Sequence, residues 1–295
     1  MGSGRWDDNS RATYRSYAAT AAATTNVREV YRSNSMKKSL DPKGITVRES
    51  CDSEENPNSN AIIIGLDVTG SMGMIAHSIA KEGLGTLIEG ILDEKPVEDP
   101  HIMFMAIGDE ISDSAPLQVS QFEPDIRIVQ QLSEIYVEQG GGGNDVEGYH
   151  LPWYFATNHT KLDCFDKRGR KGYLFTVGDE LPPKQLSRSD VNRLFSSSVQ
   201  NDISSSELLK EVQDRYHVFH LIVEQGSFAR NRLDKVKGQW RELLGSRAIL
   251  LSDYTHLPQV IIAAMKVSEG ADPEEVVNSY QDLAVRKSIQ HALFD

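Results

Sequence analysis

The hydrophobic rhythm of the chain changes near residue 60. Before it, "SYAATAAATTNVREVYRSNSMKKSLDPKG" is rich in Ala, Ser, Thr and Arg and poor in large aliphatics. Such a stretch can form a helix over residues 14–23 but buries little by itself. "CDSEENPNSN", from Cys51 to Asn60, is polar and turn-prone. From Ala61 the pattern is regular. "AIIIGLD" is a continuous apolar run, as expected of a strand covered on both faces. "MIAHSIAKEGLGTLIEGIL" sets Ile75, Ile79, Leu84, Leu87, Ile88 and Ile91 close to helical spacing. "HIMFMAIGD" predicts a strand, and Leu117–Val119 a short one. "PDIRIVQQLSEIYVE" predicts a helix with Pro124 near its start and Val129, Leu132, Ile135 and Tyr136 on one face.

"GGGGN" (Gly140 to Asn144) then breaks the chain before a predicted helix, "DVEGYHLPWYFATN", whose Trp153 and Tyr154 are expected in the core. "HTKLDCFDKRGRKG" predicts a surface hairpin or loop, with "KRGRK" as a solvated basic turn. "GYLFTVGDE" predicts a strand. "SRSDVNRLFS" and "SSSELLKEVQDRY" predict short helices opened by capping serines. A strand "HVFHLIVE", a helix "RLDKVKGQWRELLG", a strand "RAILLS" and a helix "YTHLPQVIIAAMKVSEG" follow, and residues from Ala271 onward predict one more amphipathic helix.

Strands alternating with helices predict an α/β fold: a Rossmann-like, doubly wound, mainly parallel central sheet flanked by helices. The expected division is an N-terminal extension over 1–58, the α/β domain over 59–270 and a C-terminal helix over 271–295 packed on it. The extension either packs on the domain or waits for a partner. In such sheets ligands sit at the carboxyl ends of the strands, and Asp67, Asp109 and Asp179 are all predicted there.

Composition narrows the function classes. The net charge of -12 opposes non-specific nucleic-acid binding, which needs a basic surface. It suits a divalent cation. Two cysteines, Cys51 and Cys164, lie in no metal-ligand spacing and predict free thiols in a reducing compartment. No apolar run approaches the about 20 residues of a membrane helix, and the start lacks a signal-peptide pattern. A cytoplasmic protein is expected, or one found in host cytoplasm or a virion if phage-encoded.

The densest chemistry is "IIIGLDVTGSMG", Ile62 to Gly73. Asp67, Thr69 and Ser71 place three oxygen side chains on one strand-to-helix turn. A cation such as Mg²⁺ takes six oxygens at about 2.0–2.1 Å, and one loop can offer at most half of them. Other chemistries fit less well. A phosphate-binding P-loop would need a lysine after the glycines. An aspartyl-nucleophile phosphatase would have an acid where Thr69 stands. A Ser71 nucleophile would need a base, and His77 lies six residues further along the helix. Simple helix capping by Thr69 or Ser71 also remains open. The histidines show no H-x-x-x-H spacing; His217 and His220 are expected to pack rather than bind zinc.

"LDVTGSM" resembles the metal-ion-dependent adhesion site of von Willebrand factor type A domains, whose first element is Asp-x-Ser/Thr-x-Ser. The family's second element is a threonine, or in some prokaryotic branches an aspartate, after a Gly-rich turn; Asn144 in "GGGGND" stands at the matching place. The third, an aspartate closing the next strand, resembles Asp179 in "LFTVGDE". The likeness spans roughly residues 60–270, and the N-terminal segment looks like the leader of bacterial and phage proteins carrying this domain. It implies a metal site of Asp67, Thr69, Ser71, Asn144 and Asp179, holding Mg²⁺ or Mn²⁺ in preference to Ca²⁺. Asp109, Asp145 and Glu180 are outer-shell or alternative ligands, Glu180 being expected at the surface. Asn144 departs from the pattern: its amide oxygen can coordinate but brings no charge. The implied function is metal-dependent protein–protein interaction, the ion accepting an Asp or Glu carboxylate of a partner such as an AAA+ ATPase or an assembly subunit. Nucleic-acid binding and membrane insertion are not expected. The alternatives are a structural subunit of a phage or other bacterial assembly with a stabilising metal, and a metal-dependent hydrolase using Glu180 or Asp109 as base.

Overall fold

A computed structural model describes Ala12 and residues 35–79, 83–125, 127–132, 134–136 and 145–295. The helix expected over 14–23 and the glycine turn with Asn144 lie outside the described residues.

Six strands form the central sheet: β2 (Asn60–Asp67), β3 (Pro100–Ile107), β4 (Leu117–Val119), β6 (Gly172–Gly178), β9 (Tyr216–Val223) and β10 (Ala248–Leu251). Their spatial order is β10-β9-β6-β2-β3-β4, and only β4 runs antiparallel to its neighbour. Counted in chain order, these six strands lie 3-2-1-4-5-6, so the direction of winding reverses between β2 and β6. That reversal opens a crevice at the carboxyl ends of those two strands. Asp67 closes β2 and Asp179 directly follows β6.

Every residue of β2 is buried because both faces are covered. Ile62, Ile64 and Leu66 enter one core, and Ala61 and Ile63 the other. Eleven helices are described in chain order: α1 (Gly73–Ser78), α2 (Leu84–Glu94), α3 (Arg127–Leu132), α4 (His150–Asn158), α5 (Asp163–Arg168), α6 (Arg188–Leu194), α7 (Ser205–Gln213), α8 (Ala229–Leu244), α9 (Leu257–Ser268), α10 (Pro273–Ser279) and α11 (Leu283–Phe294). The first core takes apolar residues of α1, α2, α3, α9, α10 and α11; the second takes those of α4, α6, α7 and α8. Full burial of such side chains contributes roughly 1.5–3 kcal/mol each. Trp153 and Tyr154 are buried in the second core as expected.

Several local expectations need correction. The helix expected from Asp145 begins only at His150, since Leu181 N–H donates to the Asp145 carbonyl and Gly148 N–H donates to the Gly108 carbonyl, which ties the stretch to other elements. The expected loop after it contains β5 (Thr160–Leu162) and α5. β5 pairs in parallel with β1 (Arg48–Ser50), from the segment before β2, and β7 (Gln185–Leu186) pairs antiparallel with β8 (Ile203–Ser204). The basic turn is not merely solvated: Arg168 bonds Asp52 through two nitrogens at 2.8 and 3.1 Å. The single C-terminal helix is two, because Asp272 caps α10 with Pro273 behind it and Asp282 caps α11. Ser187 and Ser204 cap α6 and α7, the latter through a full capping box with Glu207. The segment before β2 also covers the sheet edge: Val119 N–H donates to the Leu40 carbonyl at 2.8 Å.

Candidate functional site

At the end of β2 the chain folds back on the Asp67 carboxylate. Thr69 donates to Asp67 Oδ1 through its N–H at 2.9 Å and its hydroxyl at 2.6 Å, the local bonding that Asp favours in turns. Ser71 Oγ lies 3.3 Å from Thr69 Oγ1 and donates to Asp179 Oδ1 at 2.7 Å. Asp67, Thr69, Ser71 and Asp179 thus form one unbroken run of oxygen atoms across the crevice between β2 and β6. The other carboxylate oxygens are fixed from behind. The Tyr149 hydroxyl donates to Asp67 Oδ2 at 2.6 Å, and Phe228 N–H donates to Asp179 Oδ2 at 2.8 Å.

The loop that carries Phe228 clasps the site. Ser227 donates to the Ser71 carbonyl through its N–H at 3.2 Å and its hydroxyl at 3.0 Å. Gly226 must be glycine there, because a Cβ would collide with the Asp179 side chain; a Cβ on Gly178 would likewise strike the Tyr149 hydroxyl.

Two further acids sit beside this run. Glu180 is 5 % exposed, against the expectation of a surface position, and Glu147 is 2 % exposed. In each, the Oε2 atom is buried without a hydrogen-bond partner among the described residues. The Glu180 backbone is held by Trp240 Nε1, which donates to its carbonyl at 2.9 Å. Burial pushes the Glu180 carboxyl up to about 8, and the charges of Asp67 and Asp179 push the same way. Burial also raises Asp67, opposed by the hydrogen bonds from Thr69 and Tyr149, and raises Glu147, reinforced by Asp67, Glu180 and Asp109. Burial and other carboxylates are thus the forces that raise these groups.

The remaining predicted residues are placed differently. Asp109 is buried but stitches its own loop, accepting from Ile111 N–H and Ser112 Oγ, each at 2.8 Å. Asp145 is half-exposed and faces α8, with Lys235 at 3.6 Å and Arg232 at 4.0 Å. His220 is buried with its ring stacked on Trp240, centroids 3.5 Å apart, a packing role. Sequence reasoning missed Glu147, Tyr149 and the 226–228 loop. Glu147 carried the one available signal, a lone acid in the otherwise apolar and aromatic "VEGYHLPW".

The donor chemistry fits a hard divalent cation: two carboxylates and two hydroxyls, all oxygen, with one buried carboxylate oxygen of each of Glu147 and Glu180 left without a hydrogen-bond partner among the described residues. Among the described residues no three His, Cys, Asp or Glu side chains converge so as to hold a metal ion.

No family model matches the sequence, and no curated protein matches it. Among solved structures it is similar to a von Willebrand factor type A protein from Catenulispora acidiphila, at 11 % identity and a TM-score of 0.39 over 73 % of this chain and 44 % of that one. It is also similar to the pilus adhesin SpaC from Lactobacillus rhamnosus GG in its open conformation, at 10 % identity and a TM-score of 0.48, covering 80 % of this chain and 31 % of the adhesin. A second form of that adhesin gives 10 % identity and a TM-score of 0.47, over 74 % and 31 %. The chain therefore spans less than half the length of each of these solved proteins.

Proposed function

We propose that this chain is a protein-interaction module whose binding depends on a divalent cation, Mg²⁺ or Mn²⁺, held at the carboxyl edge of the sheet. The observation that carries this reading is the unbroken oxygen run Asp67–Thr69–Ser71–Asp179 across the crevice, flanked by buried carboxylates without basic partners. An isolated cluster of desolvated acids is unfavourable, and a bound cation reverses that cost.

Asp67 and Ser71 would hold the ion, with Thr69 direct or through water; Asn144 and Asp179 would complete the protein's share. Tyr149 and Phe228 N–H orient the two aspartates. When bound, the ion supplies an electrophilic position for a carboxylate from a partner protein. It also offsets the repulsion between that carboxylate and a chain of net charge -12. In this reading the chain binds rather than catalyses, and an AAA+ ATPase or an assembly subunit is the kind of partner it would serve.

Calorimetric titration with MgCl₂ and MnCl₂, and capture of partners from native lysate with Mg²⁺ or EDTA, test the reading. Asp67→Asn keeps an acceptor for Thr69, and the Tyr149 hydroxyl can accept from the new amide. It should therefore fold while losing more affinity than the about 10–100-fold typical of an outer-shell change. Equal partner capture in Mg²⁺, in EDTA and by the variant would mean that another surface does the binding.

A further inference from the structure

Resting on the metal-binding reading above, we infer that Arg232 and Lys235, in the first two turns of α8, form a cationic rim of the site, and that the partner it takes is an acidic protein segment with further carboxylates beside the one at the ion. α8 begins at Ala229, directly after the loop whose Phe228 N–H bonds Asp179. The buried residues Ala229, Val236, Trp240 and Leu244 seat the helix in the core. Arg232 and Lys235 lie off that buried stripe, with 50 % and 51 % of their side chains exposed.

Both cations are tied to the border of the site. The Arg232 guanidinium lies over the Phe228 ring, 4.4 Å from its centroid, which holds the charge beside the loop that bonds Asp179. Lys235 approaches Asp145 Oδ2 at 3.6 Å and Arg232 approaches Asp145 Oδ1 at 4.0 Å. Asp145 directly follows Asn144, and its carbonyl accepts from the N–H of Leu181, two residues past Asp179, at 3.2 Å. One half-exposed carboxylate thus faces two cations over long contacts, and a positive charge is left over. Exposed pairs of this kind contribute little, so their exchange for a partner's carboxylate costs little. The surplus matters because the chain as a whole, at net charge -12, repels an acidic partner. A cationic rim reverses that repulsion on the approach to the ion, and rim charges act mainly on association rate and salt dependence. Nucleic acid is the poorer occupant, since it needs an extended basic surface. The contrasting role, two cations kept only for Asp145, would make them indifferent to the partner.

The test is binding of two labelled peptides by the full chain, in Mg²⁺ and in EDTA. One peptide alternates Glu and Ser; the other has Gln in place of all but one Glu. In Mg²⁺ at low salt the wild type should bind the multi-acid peptide about tenfold more tightly than the single-acid one, through faster association. That preference should fade at about 0.5 M NaCl, where charges are felt over only a few ångströms. Arg232→Gln and Lys235→Gln should each reduce the preference by about two- to fivefold, the reach of an exposed ion pair, without lowering Mn²⁺ affinity. Lys235→Gln leaves the Arg232–Phe228 contact in place and decides the matter if the Arg232 variant does not fold, and Lys235→Arg should keep the preference. An undiminished preference in the glutamine variants, or none in the wild type, overturns the rim alone. A single-stranded oligonucleotide bound as tightly as the multi-acid peptide overturns the acidic protein as its occupant. Equal binding of the single-acid peptide in Mg²⁺ and in EDTA, or binding of neither peptide, overturns the metal-binding reading itself.

Discussion

Two groups of acidic residues occupy this molecule, and the fold treats them in opposite ways. Near the β1–β5 pair, Asp52 receives two nitrogens of Arg168, Lys167 at 3.2 Å and the Ser59 hydroxyl at 2.7 Å. Burial alone would raise its carboxyl, but the hydrogen bonds from Arg168, Ser59 and Lys167 outweigh burial and hold it well below the ordinary range. At the β2–β6 crevice, Asp67, Glu147 and Glu180 are pushed upward instead. The first group has its cations built in, and it ties the segment before the domain to α5. The second has hydroxyls, a tyrosine and other acids. The same residue types thus serve as cross-links where arginine and lysine meet them, and as carboxyls pushed upward where only oxygens do.

The sharpest way to break the comparison is to move one aspartate of the unpaired group. Gly226→Ala forces a Cβ into the Asp179 side chain. Relief requires displacing either the carboxylate or the 226–228 loop that bonds it through Phe228 N–H. Metal affinity should fall by about 100-fold or more, as for loss of a ligand and its support together. Stability should fall by about 1–3 kcal/mol from overpacking. A variant with wild-type Mn²⁺ affinity would detach Asp179 from the site.

The next effect is a contrast in pH dependence. Glu180, raised to about 8, and the raised Asp67 and Glu147 stay protonated in the folded chain at pH values where the unfolded chain has already ionised. The folded state then binds more protons, so each contribution is fully present below the ordinary carboxylate range of about 4 and is lost as pH rises through that group's raised value, about 8 for Glu180. Asp52 and Asp163, both lowered, act oppositely: their contribution is present above the ordinary range and lost as pH falls. Urea unfolding in EDTA between pH 5 and pH 9 should show stability declining, and saturating Mg²⁺ should flatten the decline. A metal-free profile that rises over that interval contradicts the unpaired state of the crevice acids.

How far these two groups could be seen in the sequence follows from the physics of each. The crevice was largely legible, because a fully buried strand leaves an apolar run and a short turn puts its donors at fixed offsets from it. The "AIIIGLD" run and the Asp67, Thr69 and Ser71 spacing carried both signals, and the capping serines and Leu117–Val119 were equally local. The built-in ion pairs were not legible. Strands of three residues, such as β1 and β5, are too short to show a period, and Asp52 lies 116 residues from Arg168. Glu147 escaped for a related reason: a stretch rich in apolar and aromatic residues reads as helix, while the bond from Gly148 N–H to the Gly108 carbonyl that holds this stretch out of a helix is non-local. Glu180 reads as a surface residue because nothing in "GDELPPK" announces its burial or the bond that its carbonyl accepts from distant Trp240.

On the paired side of the comparison, Arg168→Ala should destabilise the chain by about 1–3 kcal/mol, since it leaves Asp52 and the Ser59 carbonyl short of a strong donor. The pair is partly exposed, which keeps the loss below that of a fully buried ion pair. Mg²⁺ and Mn²⁺ affinity should not change. A joint loss of stability and metal binding would mean that the two acidic groups are coupled through the sheet.

The smallest effect tests how the crevice is held together. Tyr149→Phe keeps the ring packed edge-on against His220 and Trp240, with centroids 4.8 and 5.5 Å away, and removes only the hydroxyl. That hydroxyl donates to Asp67 Oδ2 at 2.6 Å and accepts from Glu180 N–H at 3.3 Å. The first bond is short and made to an acid, so the metal-free chain should lose about 1 kcal/mol or slightly more. The second is long, and its loss adds little. For the ion the consequences oppose each other: without the donor, Asp67 Oδ2 becomes a more basic oxygen, but its orientation is less fixed. Metal affinity should therefore shift by less than about 10-fold, the lower end of what an outer-shell partner contributes. A collapse of affinity comparable to that of Asp67→Asn would instead make the Tyr149 hydroxyl indispensable to the binding geometry.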